Sequence, residues 1–366
     1  NMDKTVIALG LMSGTSMDGV DASLIKSDGE RNSDIIGDLY AKYDSELKNS
    51  LLKLSQKINS LHDLKENLNQ YEKLEREITI KHSKIVLEIS KKFNIQPNII
   101  GFHGQTILHK PEKGYSIQMG NAELLSQLVG TDVVYQFRKN DIKNGGEGAP
   151  LTPIYHHHLQ KKLNLKIPTL FLNLGGIANY TFCNGDYFCA KDVGPGNCMM
   201  DMYIKKTKNL EFDKNGYLAS LGKVDKVLIN NILDHEFYNK KEKHSLDISD
   251  FDMNFVKGIQ VEDALANLNY FSAKVISENI KKDIKEEFTI ILCGGGRKNL
   301  TLISNLKKFL NVKFYDIDQF NIDGDFIESQ AFAYLSVRSL MKKTITFPST
   351  TKVNKPITGG QIVKIY

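Results

Sequence analysis

The residues Gly10-Leu11-Met12-Ser13-Gly14-Thr15-Ser16-Met17-Asp18-Gly19-Val20-Asp21 combine small hydroxyls, glycine amides and two carboxylates. Such a loop can cradle phosphate oxygens on its backbone N–H groups. Asp18 and Asp21 could orient Mg²⁺, directly or through water. Asp18-Gly19 alone would suit a hairpin turn, but a turn does not account for Ser13, Gly14, Thr15 and Ser16 before it. Two further segments share the design of a β-prone run leading into glycines: Leu170 to Asn179, with Gly175 and Gly176, and Ile290 to Asn299, with Gly294, Gly295 and Gly296. Three such ends suggest a nucleotide gripped from two domains. Neither GxxxxGK[ST] nor GxGxxG occurs, which excludes a P-loop and disfavours a Rossmann dinucleotide site. Asp192, ahead of Gly194-Pro195-Gly196, is a rigidly held carboxylate and a candidate general base; an Asp that only caps the turn is the alternative.

The elements that must hold these residues alternate. Strands are predicted at Thr5–Leu9, Val20–Ile25, Asn98–Phe102, Asp132–Phe137, Pro168–Asn173, Phe288–Leu292 and Val312–Tyr315. Apolar spacing of three and four predicts a helical pair within 45–93 and helices at 120–128, 261–282, 300–310 and 328–342. The class is α/β. With 366 residues, two domains are expected.

Composition narrows the function. Only five of the 48 basic residues are Arg, and the lysines are spread along the chain, so the net charge of +5 reads as a solvated surface rather than a nucleic-acid face. No apolar run is long enough to span a membrane. The first residues carry one basic side chain and a short apolar stretch followed at once by Ser, Thr and Asp18, so no signal peptide is expected. Asn1 precedes Met2, which reads as the natural start. Cys183, Cys189, Cys198 and Cys293 form no CxxC pair and suit reduced thiols in a cytoplasm; Cys293 is expected to be a small buried residue. His156-His157-His158 cannot all face one ion on a regular element, so the run is expected to be a surface or helix-face cluster.

The segments GLMSGTSMDGVD, GFHGQTILHKP (101–111), FRKNDIKNGGEGAPLTP (137–153), LNLGGIANYT (172–181), DVGPGN (192–197), CGGGRKN (293–299) and ESQAFAYLSVR (328–338) resemble the anhydro-N-acetylmuramic acid kinase family, in order along nearly the whole chain. The resemblance implies two actin-like, hexokinase-like (ribonuclease H-like) domains with a cleft, expected at 1–130 plus 325–366 and at 131–324. It implies ATP, Mg²⁺, a homodimer in the cytoplasm, and opening of 1,6-anhydro-N-acetylmuramic acid by water with phosphorylation at O6, in cell-wall recycling. On this resemblance Gly14, Thr15, Ser16, Met17, Asp18, Gly19, Val20 and Asp21 hold the phosphates, with Asp18 and Asp21 toward the metal. Gly175, Gly176 and Asn179 form a second phosphate loop. Gly294, Gly295, Gly296 and Asn299 lie at base and ribose. Asp192 is the base, and Glu328 approaches the reaction centre. His103, Gln105, Thr106, Arg138 and Asp141 line the sugar pocket. Glu147 stands where the family pattern has Gln. Another carbohydrate kinase of this fold, or a nucleotide-dependent switch, is the alternative.

Overall fold

The computed structural model describes residues 4–234, 246 and 251–365. The chain divides into two compact units: one runs up to Leu163 and resumes at Phe326, the other is Asn164–Asp325.

In the first unit β1 (Val6–Ser13), β2 (Gly19–Ser27) and β3 (Ser33–Lys42) form an antiparallel meander, with Leu9 opposite Leu24 and Met12 opposite Asp21. The helical stretch is three helices rather than a pair: α1 (Ser45–Lys57), α2 (Leu61–Glu66) and α3 (Leu68–Phe93). Asp44 caps the start of α1, and Ser60 breaks the stretch by capping α2, each through a side-chain oxygen. On α1, Leu47, Leu51 and Leu54 face the core; on α3, Leu74, Ile78, Ile85 and Ile89 do. β4 (Ile99–Lys110) lies parallel to β1 and extends well past Phe102, with Ile107 and Leu108 buried. β5 (Tyr115–Met119) folds back on β4, and α4 (Ala122–Val129) leads to β6 (Asp132–Tyr135), parallel to β4. This pairing keeps residues 132–135 in the first sheet, so the division of the chain falls after Leu163 rather than after residue 130. Two further helices follow, α5 (Lys139–Lys143) and α6 (Pro153–Lys162).

The second unit repeats the plan. β7 (Thr169–Leu174), β8 (Ile177–Asn184) and β9 (Tyr187–Pro195) form a meander. Next come α7 (Cys198–Lys208), α8 (Tyr217–Leu221), α9 (Lys226–Asp234) and α10 (Val261–Asp283). Then β10 (Thr289–Cys293), α11 (Leu300–Phe309) and β11 (Lys313–Asp316) add two strands parallel to β7. The strand orders β3-β2-β1-β4-β6 and β9-β8-β7-β10-β11 match strand for strand. Two units of this ribonuclease H-like order are the expected α/β class.

The chain returns to the first unit as α12 (Ile327–Leu340), α13 (Pro348–Thr351) and β12 (Gln361–Val363), which pairs with β6. α12 packs on β1, β2 and β4. It does so over Gly10 and Gly101, which are register partners: a Cβ on them would lie 1.8 Å from the Ser329 carbonyl oxygen and 2.3 Å from that of Phe332. Only glycine lets helix backbone come this close.

The histidine run is buried on α6 rather than at the surface. His158 Nε2 is 2.6 Å from Ser33 Oγ, and its ring stacks on Tyr334. The four cysteines are free thiols, Cys293 fully buried among them. No helix among the described residues is long and apolar enough to cross a membrane.

Candidate active site

In the first unit, the end of β1 and the turn into β2 form a hairpin whose tip is open. Thr15 and Ser16 are exposed, and a Cβ on Gly14 would meet nothing within 4 Å. The base of the tip is fixed from beneath. Ser13 Oγ lies 2.7 Å from Gln105 Oε1 and 3.2 Å from Tyr43 Oη, and Gln105 Nε2 donates to the Gly14 carbonyl. Met17 and Val20 turn into the core, so their side chains are not available to a ligand. The Tyr43 N–H donates to the Asp18 carbonyl, and Lys48 on α1 places its ammonium 2.5 Å from the Asp18 carboxylate. Asp21 is half-buried on β2. Asp21 is the register partner of Tyr40, and burial, then the charges of Asp18 and Asp21, pushes the Tyr40 phenol up. Two carboxylates suit Mg²⁺, which keeps water and phosphate oxygens as ligands. The one three-residue donor cluster among the described residues, His62, Asp63 and Glu66, lies on α2, with His62 and Glu66 exposed and Asp63 half-buried.

Also in the first unit, β4, α5 and α12 bring His103, Arg138 and Glu328 together. Arg138 Nε and Nη2 both point at His103 Nε2, 3.2 and 2.9 Å away, and Nη1 donates to the Gly148 carbonyl. His103 Nδ1–H donates to the Gly104 carbonyl, so Nε2 carries the lone pair that receives the guanidinium. Burial and the Arg138 charge pull the imidazole down to about 3, which keeps it neutral. Burial pushes the Glu328 carboxyl up, against the opposing charge of Arg138. Thr106 is half-buried on β4 with Gln118 Nε2 3.3 Å from its hydroxyl.

Two further residues expected in the sugar pocket, Gln105 and Asp141, bond to protein groups, and the Asp141 charge bears on Arg138. Gln105 is fully buried and uses both ends of its amide on the first loop. The buried Asp141 carboxylate accepts from the Gly148 N–H at 2.7 Å and the Thr351 hydroxyl at 2.6 Å. A Cβ on Gly146 would lie 2.1 Å from that carboxylate, so Asp141 shapes the Gly-rich loop around it. Glu147 is held beside Lys352, 3.6 Å away.

In the second unit, the Gly175-Gly176 turn joins β7 to β8. Its carbonyls accept from the N–H groups of Gly196, Asn197 and Cys198, which ties it to the start of α7. A Cβ on Gly196 would sit 2.0 Å from the Gly175 carbonyl oxygen, so that corner must be glycine. Asp192 lies within β9 rather than on the Gly-Pro-Gly corner. It is the register partner of Asn179 at a bulge in the β8–β9 ladder. A bulge re-aims a side chain that a regular pleat would fix. Asp192 Oδ2 accepts from the Leu246 N–H at 2.7 Å.

The turn after β10 starts at Gly294, with φ of +80° and a Cβ position 2.6 Å from Asn173 Oδ1. Asn299 caps α11, accepting from Leu302 N–H. Gly295, Gly296, Lys298 and Asn299 line a cavity of about 440 Å³ with Asn197, Asp201 and Phe212 to Asn215. A larger adjoining cavity, about 1010 Å³, shares Phe212 to Asn215 but does not touch the glycine turns. Residues 212–215 had no sequence signal; they enter only because the chain folds back over the α11 end.

The family model for anhydro-N-acetylmuramic acid kinase matches residues 6–364. The anhydro-N-acetylmuramic acid kinase of Pelagibacter ubique (strain HTCC1062) is 48% identical over 375 residues, covering all of both chains. That of Zymomonas mobilis is 37% identical, covering 98% of this chain and 99% of its own. With its loops, its paired sheets and these full-length likenesses in agreement, the chain belongs to the anhydro-N-acetylmuramic acid kinase family.

Proposed function

We propose that this kinase takes ATP with Mg²⁺, opens 1,6-anhydro-N-acetylmuramic acid with water and phosphorylates O6, yielding N-acetylmuramate 6-phosphate and ADP. On this reading it works in the bacterial cytoplasm as a homodimer, in cell-wall recycling. The two actin-like domains correspond to the two units. One observation carries the nucleotide part. Gly14, Gly175 and Gly295 each sit at a strand end with ordinary φ, and a Cβ there would meet nothing closer than 3.5 Å. The fold itself gives no reason for glycine at these positions, whereas a ligand pressed on the backbone does.

In this mechanism the side chains divide the work. Asp192 takes a proton from the water whose oxygen bonds to C1. The C1–O6 bond breaks, O6 bonds to the γ-phosphorus and ADP leaves. Capture of O6 by the phosphoryl group replaces the second carboxylate that glycoside cleavage ordinarily needs. Asp18 and Asp21 would hold Mg²⁺, which supplies charge neutralisation of the phosphates. Of the first unit, the loop 14–21 would take phosphate; of the second, the Gly175-Gly176 turn would take phosphate and the cavity of about 440 Å³ adenosine. Neutral His103, with Arg138, offers a fixed polar face to the sugar, and Glu328 stands beside them.

The test is ADP release with anhydro-N-acetylmuramic acid, N-acetylmuramic acid, N-acetylglucosamine and glucose in ¹⁸O-water. Turnover confined to the anhydro sugar, with label at C1, is expected; equal turnover of a free sugar without label overturns the reading. Gly14→Val adds methyls where the chain has room, so melting should be unchanged. The ATP KM should rise roughly ten- to a hundredfold, the scale of 1–3 kcal/mol for overpacking, while the sugar KM stays put. A shift in the sugar KM instead would remove the loop from the phosphate site.

A further inference from the structure

Arg297 interrupts the turn after β10, and its side chain is 1% exposed. Its neighbours Gly295, Gly296, Lys298 and Asn299 line the 440 Å³ cavity; Arg297 does not. The guanidinium points instead into a ring of acidic residues. Nη1 donates to the Gly294 carbonyl at 3.0 Å and to Asp325 at 2.8 Å. Nη2 reaches both oxygens of Asp318, at 3.2 and 3.0 Å. Asp316 lies 3.4 Å from Nε and Asp323 3.7 Å from Nη2. Segment 316–325 is wrapped on this group: the Gly324 N–H donates to Asp318, and a Cβ on Gly324 would be 2.6 Å from Nε.

Neutralising one buried arginine takes one carboxylate; four surround this one, half-exposed. A planar fork fixes direction as well as charge. A single nitrogen, Nη1, holds the carbonyl that opens the glycine turn and the carboxylate of Asp325. Asp325 is the last residue of the second unit before the chain returns at Phe326 toward Glu328. Neither end of this link can move without disturbing the other.

We infer that Arg297 is a positioning residue for nucleotide binding, coupling the Gly294–Gly296 turn to the acidic segment 316–325. The inference rests on adenosine occupying the cavity beside that turn. Nucleotide binding should therefore stiffen residues 316–325, which need not touch it, and loosening that segment should weaken nucleotide binding.

Hydrogen exchange with and without ADP, on wild type, Asp325→Asn and Arg297→Met, reads this directly. In wild type ADP should slow exchange in 294–299 and in 316–325. In Asp325→Asn, where Asp318 still pairs the guanidinium and the unit stays folded, protection of 316–325 should be lost. Its ATP KM should rise about 3- to 30-fold, the usual scale of such coupling, with the sugar KM unchanged. Arg297→Lys should recover only part of what Arg297→Met loses, because an ammonium cannot span the same acceptors. Wild-type ATP KM and undiminished protection of 316–325 in Asp325→Asn overturn the coupling, whether or not Arg297→Met folds. Absence of protection at 294–299 in wild type overturns the nucleotide assignment itself, and this inference with it.

Discussion

Asp192→Asn is expected to bind ATP and sugar as the wild type does while kcat falls by about 10²–10⁴, the usual cost of removing a general base. The change is nearly isosteric. An Asn oxygen can still accept from the Leu246 N–H, and the bulge that aims residue 192 is set by backbone pairing with Asn179. The loss should therefore appear in the chemical step and not in KM. Single-turnover rates with calorimetric binding of both ligands check it. A kcat within tenfold of wild type would take Asp192 out of the proton transfer.

A second large effect is expected from acid. Burial pulls His103 down to about 3 and His82, His109, His156 and His158 to about 4, from an ordinary value of 6.5. All five belong to the first unit. A depressed folded value means that the stabilisation is whole above pH 6.5 and is lost as pH falls, since only the unfolded chain takes up the protons. Glu75 and Glu328, pushed up by burial, act in the opposite sense. Each imidazole that takes up its proton only on unfolding adds about 1.4 kcal/mol per pH unit to the slope. Denaturant titrations at pH 7.5, 6.0 and 5.0 should show the first unit losing most of its stability across this range. A flat profile would mean the imidazoles titrate normally.

The glycine turns after β1, β7 and β10 are visible in the amino-acid order because they depend on local chemistry. Each glycine turn follows a β-prone run, and strand ends are where a sheet presents backbone to a ligand. What stayed hidden depends on partners far along the chain. Nothing local to Gln105 or Asp141 reveals that Ser13 and Gly14, or Gly148 and Thr351, consume their polar atoms. The histidines of α6 looked solvated because a helix buried on all sides shows no apolar stripe. β4 runs on to Lys110 because β5 folds back on it, a pairing that no propensity reveals. The boundary after Leu163 depends on which sheet takes 132–135, and two hydrogen-bonding neighbours, β4 and β12, decide that. The pattern Asp316-Ile-Asp318 with Asp323-Gly-Asp325 was present to be read, but its partner Arg297 lies in another turn.

The second unit is an insertion in the first, and this sets an order of events during synthesis on the ribosome. The sheet of the first unit lacks its covering helix until α12 has emerged, because Gly10 and Gly101 are shaped to receive the backbone of Ser329 and Phe332. Its last strand, β12, arrives later still to close the edge at β6. The inserted unit has all five of its strands by Asp316 and needs nothing downstream to complete its sheet. The inserted unit can therefore complete its sheet on the ribosome before the first unit does. Until α12 emerges the first unit keeps an uncovered sheet face, a window in which chaperones have something to hold and proteases something to cut.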